Sequence, residues 1–131
     1  MRKQKPSTFT GRYWLSAVRK STHEDYGKNI GKWLIWIQNS AIDATWQRIK
    51  IETEAGRLGI SAKVSTAAPN PRGNAGTHVI CVYTYDYEDK ADVDRVRQLL
   101  REMGFANKIP YKTNKATHEG KYGEGSSLYY E

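Results

Sequence analysis

The chain predicts an α+β fold, a mostly antiparallel β-sheet with helices packed on one of its faces. Three observations lead there. Short segments with alternating apolar residues recur along the chain, two segments switch to a helical period, and the order of the two kinds is ββ-α-ββ-α-ββ. At 131 residues the chain has the size of one domain with one core. Residues 11–131 are read as that single domain and residues 1–10 as a flexible basic N-terminal arm.

"RYWLSAVR" (12–19) predicts a first strand and "IGKWLIWIQ" (30–38) a second. In the second, Trp33, Ile35 and Ile37 alternate with Lys32, Leu34 and Trp36, so each set shares a face. The period then changes. In "NSAIDATWQRIKIETEAGRLG", Ile42, Trp46 and Ile49 fall at the spacing of an amphipathic helix stripe. Ser40 is expected to cap it, with Asp43 three residues on, and Gly56 or Gly59 to stop it. "SAKVSTA" (61–67) returns to period two, and "PNPRGNAG" (69–76) is a loop by its prolines and glycines. "THVICVYTY" (77–85) is apolar on both faces, as a central strand is. "DKADVDRVRQLLREMG" predicts a second helix capped by Asp89, with Asp92 in its first turn and Gly104 at its end. Its buried stripe is Val93, Val96, Leu100 and Met103. "NKIPYKT" (107–113) reads as a strand that Pro110 places at an edge or bulge, and "SLYYE" (127–131) as a last strand.

Composition narrows the function classes. The net charge is +7 and the pI about 9.5, which favours phosphates and nucleic acid as partners. The charge is uneven: residues 1–28 hold seven basic and two acidic side chains, residues 79–104 four basic and six acidic. No apolar run approaches the roughly 20 residues that cross a bilayer, and no apolar core follows the basic start "MRKQKPSTFT" as in a secretory signal. Cys81 is the only cysteine, so no internal disulfide forms and a cytoplasmic setting is expected. His23, His78 and His118 have no second ligand at metal spacing, so neither a metal nor a cofactor is expected. Cys81, in the most apolar strand, reads as a small buried hydrophobe.

The candidate site follows from alternation. If Trp33, Ile35 and Ile37 face the helices, then Lys32 and Trp36 face away, and Lys63, Ser65 and Lys112 fall on that same opposite face. Lysine suits phosphate as a compact charge, and an exposed tryptophan is a platform for a base. A solvated face that keeps the sheet soluble is the plainer alternative. Asp86, directly after the central strand, reads as a turn anchor or as a hydrogen-bond acceptor for a ribose or base. The glycine-rich "GKYGEGSS" (120–127) reads as a loop that, if it closes on an anion, brings Lys121 and Ser126.

The blocks "GKW" (31–33), "AKVST" (62–66), "VICVYTYDYEDKADVDRVRQLLREMG" (79–104), "IPYKT" (109–113) and "THEGKY" (117–122) resemble the basophilic-leukaemia-expressed protein family. The resemblance runs over residues 12–130. It implies a curved antiparallel sheet backed by helices, similar to the cap-binding translation initiation factor 4E, with a concave face for a nucleotide-like ligand. It also implies that Lys32, Lys63, Ser65, Thr66, Lys112 and Tyr122 lie in or near that site. Some family members carry a phosphothreonine lyase label. Such an elimination needs a base, an acid and cations on the phosphate; Lys63, His118, and Lys112 with Arg72 would be those groups. The expectation is a small binding module that takes a phosphorylated nucleotide or an RNA end. A phosphate-handling enzyme, a sponge for a signalling nucleotide and a protein-interaction domain stand as alternatives.

Overall fold

The computed structural model describes residues 4–19, 29–68, 76–115 and 127–131. Among them run β1 (Trp14–Val18), β2 (Gly31–Gln38), α1 (Asn39–Glu54), β3 (Ser61–Ser65), β4 (Thr77–Thr84), α2 (Lys90–Glu102), β5 (Pro110–Thr113) and β6 (Tyr129–Tyr130). The strands form one open antiparallel sheet in the order β1-β3-β4-β2-β5-β6. The long, doubly apolar strands β2 and β4 sit at its centre, where both faces of a strand are covered.

Both helices lie on one face, as the sequence predicts. The core joins Ile42, Trp46 and Ile49 of α1 and Val93, Val96 and Leu100 of α2 to Leu15, Trp33, Ile35, Val64, Ile80 and Val82 of the sheet. Hydrogen bonds fix the polar atoms that this burial would otherwise strand. Trp33 Nε1 donates to the Val93 carbonyl at 3.1 Å, and the Tyr111 and Thr84 hydroxyls meet at 2.6 Å. Arg97, a buried residue of α2, donates to the carbonyls of Phe105, Asn107 and Glu131 at 2.7–2.8 Å. One guanidinium thus ties the loop after α2 to Glu131.

Helix α2 starts as read: Asp89 accepts from the Asp92 N–H at 3.2 Å, and Gly104 follows the helix with φ +107°. Helix α1 differs. It begins one residue before Ser40, with Gln38 at the N-cap position and no side-chain cap bond. Asn39 N–H donates instead to the Gly76 carbonyl at 2.8 Å, so a tertiary contact takes the place of the serine cap. Gly56, at φ +81°, ends the helix. Of the edge or bulge expected from Pro110, the edge is not found: β5 is an inner strand, since β6 pairs outside it. Pro110 is tolerated because it is the first residue of its strand; its neighbour Ile109 exchanges both backbone bonds with Glu131.

Of the segment read as a flexible arm, residues 4–10 are described, and they make tertiary contacts. Pro6 is buried, Phe9 packs against the core, and Ser7 binds Asp43 of α1 through both its N–H and its hydroxyl.

Candidate functional site

The register places side chains on the face opposite the helices in rows. One row runs Val18, Ser61, Tyr83, Lys32 and Lys112 across β1, β3, β4, β2 and β5. The next runs Ser16, Lys63, Cys81 and Leu34. Beyond them Trp14 pairs with Ser65 and Val79 with Trp36, the two pairs being joined by the bond from the Val79 N–H to the Ser65 hydroxyl. Lys32 and Lys112 are direct cross-strand partners, and Lys63 stands one row on, diagonally across β4. The three lysines read from sequence therefore come together, an arrangement that "SAKVSTA" alone does not reveal.

Aromatic rings lie among them. The Lys63 ammonium is 4.1 Å from the centroid of the Trp14 ring and 5.8 Å from that of Tyr83. Lys32 is 5.7 Å from the centroid of the same Tyr83 ring. Cations over ring faces gain from the ring quadrupole, more so where water is excluded. Lys32 is only 7% exposed and Lys112 9%. Lys32 Nζ also donates to Asn114 Oδ1 at 3.1 Å. Burial lowers the Lys32 pKa; the thiol of Cys81 opposes that, while Lys63 and Lys112 push it further down. Burial raises the Cys81 thiol, against the pull of Lys63 and Lys32. Burial likewise raises the Tyr83 phenol, with Cys81 beside it. Cys81 is buried, as expected, but on the lysine face rather than in the core beneath the helices.

The other expected site residues are spread out. Trp36 shares the face but sits four residues from Lys32 along β2, about 13 Å at the usual strand rise. There it is 55% exposed beside an apolar groove of about 290 Å³, formed with Phe105, Ala106, Asn107 and Ile109. The Ser65 hydroxyl accepts the Val79 N–H at 2.9 Å. The Thr66 hydroxyl donates to the Arg12 carbonyl at 2.6 Å and accepts the Ala68 N–H at 3.2 Å. Both hydroxyls thus hold the backbone where β3 ends. Asp86 accepts the Glu88 N–H at 2.9 Å, a bond within its own turn. Arg72, His118, Lys121 and Tyr122 lie outside the described residues.

Two members of the face were missed in the sequence. Leu15 and Ala17 point to the core, so alternation already sends Trp14 the other way. Tyr83 follows from the same rule in β4, where Ile80 and Val82 are core; the uniform apolarity of "THVICVYTY" hid it.

Among the described residues no cluster of three or more His, Cys, Asp or Glu side chains can hold a metal ion. None of their helices is long and apolar enough to cross a membrane.

An open antiparallel sheet with two helices on one face and a lysine–aromatic cluster on the other defines an open-sheet α+β domain. The chain belongs to the family described as Basophilic leukemia-expressed protein Bles03, which matches residues 18–119. That span contains Lys32, Lys63, Tyr83 and Lys112; Trp14 precedes it.

Proposed function

We propose that the lysine–aromatic face binds a phosphorylated nucleotide or the phosphorylated end of an RNA. The observation that carries this reading is the convergence of Lys32, Lys63 and Lys112 in two adjacent rows, with Lys32 and Lys112 directly opposite each other. Like charges facing each other across strands are destabilising, and burial adds a desolvation cost. A phosphate group, with several oxygens and more than one negative charge, offsets both. Tyr83 and Trp14 add ring surfaces next to the charges, as base-stacking sites have. The likeness to cap-binding factors belongs to this proposal too, as a helix-backed sheet whose other face takes the ligand.

The test is a thermal-shift panel of mono-, di- and cyclic nucleotides, capped and uncapped short RNAs, and a phosphothreonine peptide. It is run on the native chain and on Lys63→Ala. A ligand that binds the native state raises Tm by mass action. The expected result is a rise with one nucleotide class that Lys63→Ala loses. Recovery of that ligand unchanged identifies a binder or a sponge; its conversion identifies a phosphate-handling enzyme. No shift with any ligand overturns the reading in favour of a protein-interaction domain.

A further inference from the structure

We propose that Ser7 is a phosphorylation site, and that its modification unclasps the N-terminal segment from α1. Residues 5–9 form a turn in which the N–H groups of Thr8 and Phe9 both donate to the Lys5 carbonyl, at 3.1 and 2.9 Å. Besides the packing of Pro6 and Phe9, one carboxylate ties the turn to α1. Asp43 accepts the Ser7 N–H on Oδ1 at 3.0 Å and the Ser7 hydroxyl on Oδ2 at 2.5 Å. From there the segment crosses to the end of β3. Ala67 N–H donates to the Phe9 carbonyl at 3.1 Å and Thr66 N–H to that of Tyr13 at 2.8 Å, and the next residue is Trp14 of the lysine face.

The clasp depends on the serine proton and on a face-to-face match of donor and acid. Phosphorylation reverses both. A serine kinase transfers the γ-phosphoryl group of ATP: an Oγ–P bond forms, the bond from the γ-phosphorus to its bridging oxygen breaks, ADP leaves, and the hydroxyl proton passes to the kinase's base. The donor to Oδ2 is then gone. A group carrying about −1.5 to −2 charges stands against the Asp43 carboxylate, a placement that disrupts. The sequence supplies what a kinase with an acidic substrate groove reads. Arg2, Lys3 and Lys5 lie five, four and two residues before Ser7, and residues 1–12 contain no acid. A surface turn held by few hydrogen bonds opens locally at low cost, so the kinase meets Ser7 in the open state and the phosphate keeps it there.

The experiment treats the full chain with ATP and the catalytic domain of a basic-directed serine kinase. The site is located by mass spectrometry, and the segment is followed by hydrogen exchange at the Phe9 and Ala67 amides. One phosphate on Ser7 is expected, with exchange at both amides at least about tenfold faster, since hydrogen bonds to a charged group are lost. In Asp43→Asn, where the serine donor is still lost but no acid faces the phosphate, phosphorylation is expected to speed exchange clearly less than in the native chain. The proposal is overturned if phosphate goes only to Thr8 or Thr10, or to no residue even in Asp43→Ala, where the clasp is gone. It is equally overturned if phosphorylated Ser7 leaves exchange unchanged, or if the acceleration persists in full in Asp43→Asn.

Discussion

At the scale of single residues, close approach and burial decide what a position tolerates. Gly31 is flanked by the Tyr111 hydroxyl so closely that a Cβ there would lie 2.1 Å from the oxygen. Gly31→Ala must therefore displace Tyr111 from Thr84, and a loss of about 2–4 kcal/mol is expected in urea unfolding. Lys32 makes a different case. Its native pKa lies below the ordinary 10.5, chiefly through burial, so the unfolded chain holds that proton more tightly. The cost is fully present below the native pKa and fades as pH rises through the native value towards 10.5. Lys32→Met removes this dependence. The native chain should thus gain Tm relative to Lys32→Met between pH 7 and about 10.5. A constant difference across that range would show that the charge of Lys32 is not penalised by burial.

Among the elements, helix α2 is the one that local chemistry explains best. Asp89 caps it and Arg101 stands in its last turn, each complementing the helix dipole. Asp89→Ala should lower Tm through the lost cap and leave the sheet intact, as circular dichroism would show. Arg97 connects this helix to the rest. Its three carbonyl partners belong to the loop after α2 and to the residue that follows β6. Arg97→Met leaves those carbonyls without that donor, and roughly 3 kcal/mol of stability should go with it. Hydrogen exchange at Ile109 and Glu131, which bond each other's backbone, should accelerate most. Arg97→Lys should rescue little, because one ammonium lacks the planar fork that reaches three oxygens.

On the scale of the whole molecule, the face of the sheet opposite the helices has two unlike ends. The lysine end gathers Lys32, Lys63, Lys112 and Tyr83; the other carries Trp36 beside its groove. If the phosphate reading is right, Lys63→Ala should weaken nucleotide binding at least about tenfold, a charge-assisted contact's worth. Trp36→Ala should leave it within about twofold and change stability by no more than about 0.5 kcal/mol. Equal losses in isothermal titration would move the site towards Trp36. How these ends arise separates what was legible in the sequence from what was not. Periodicity alone determined the element order, the core stripes of α1 and α2, the Asp89 cap and the face on which Lys32 and Lys63 stand, because each depends on residues a few positions apart. It could not decide the cap of α1, which Gly76 supplies from 37 residues away, or the inner position of β5, which β6 creates. Nor could it bring Lys112 opposite Lys32 or set Trp14 under Lys63. Those depend on strand order and register, which are long-range pairings set by the packing of the whole sheet, and alternation within one strand carries no information about its neighbour.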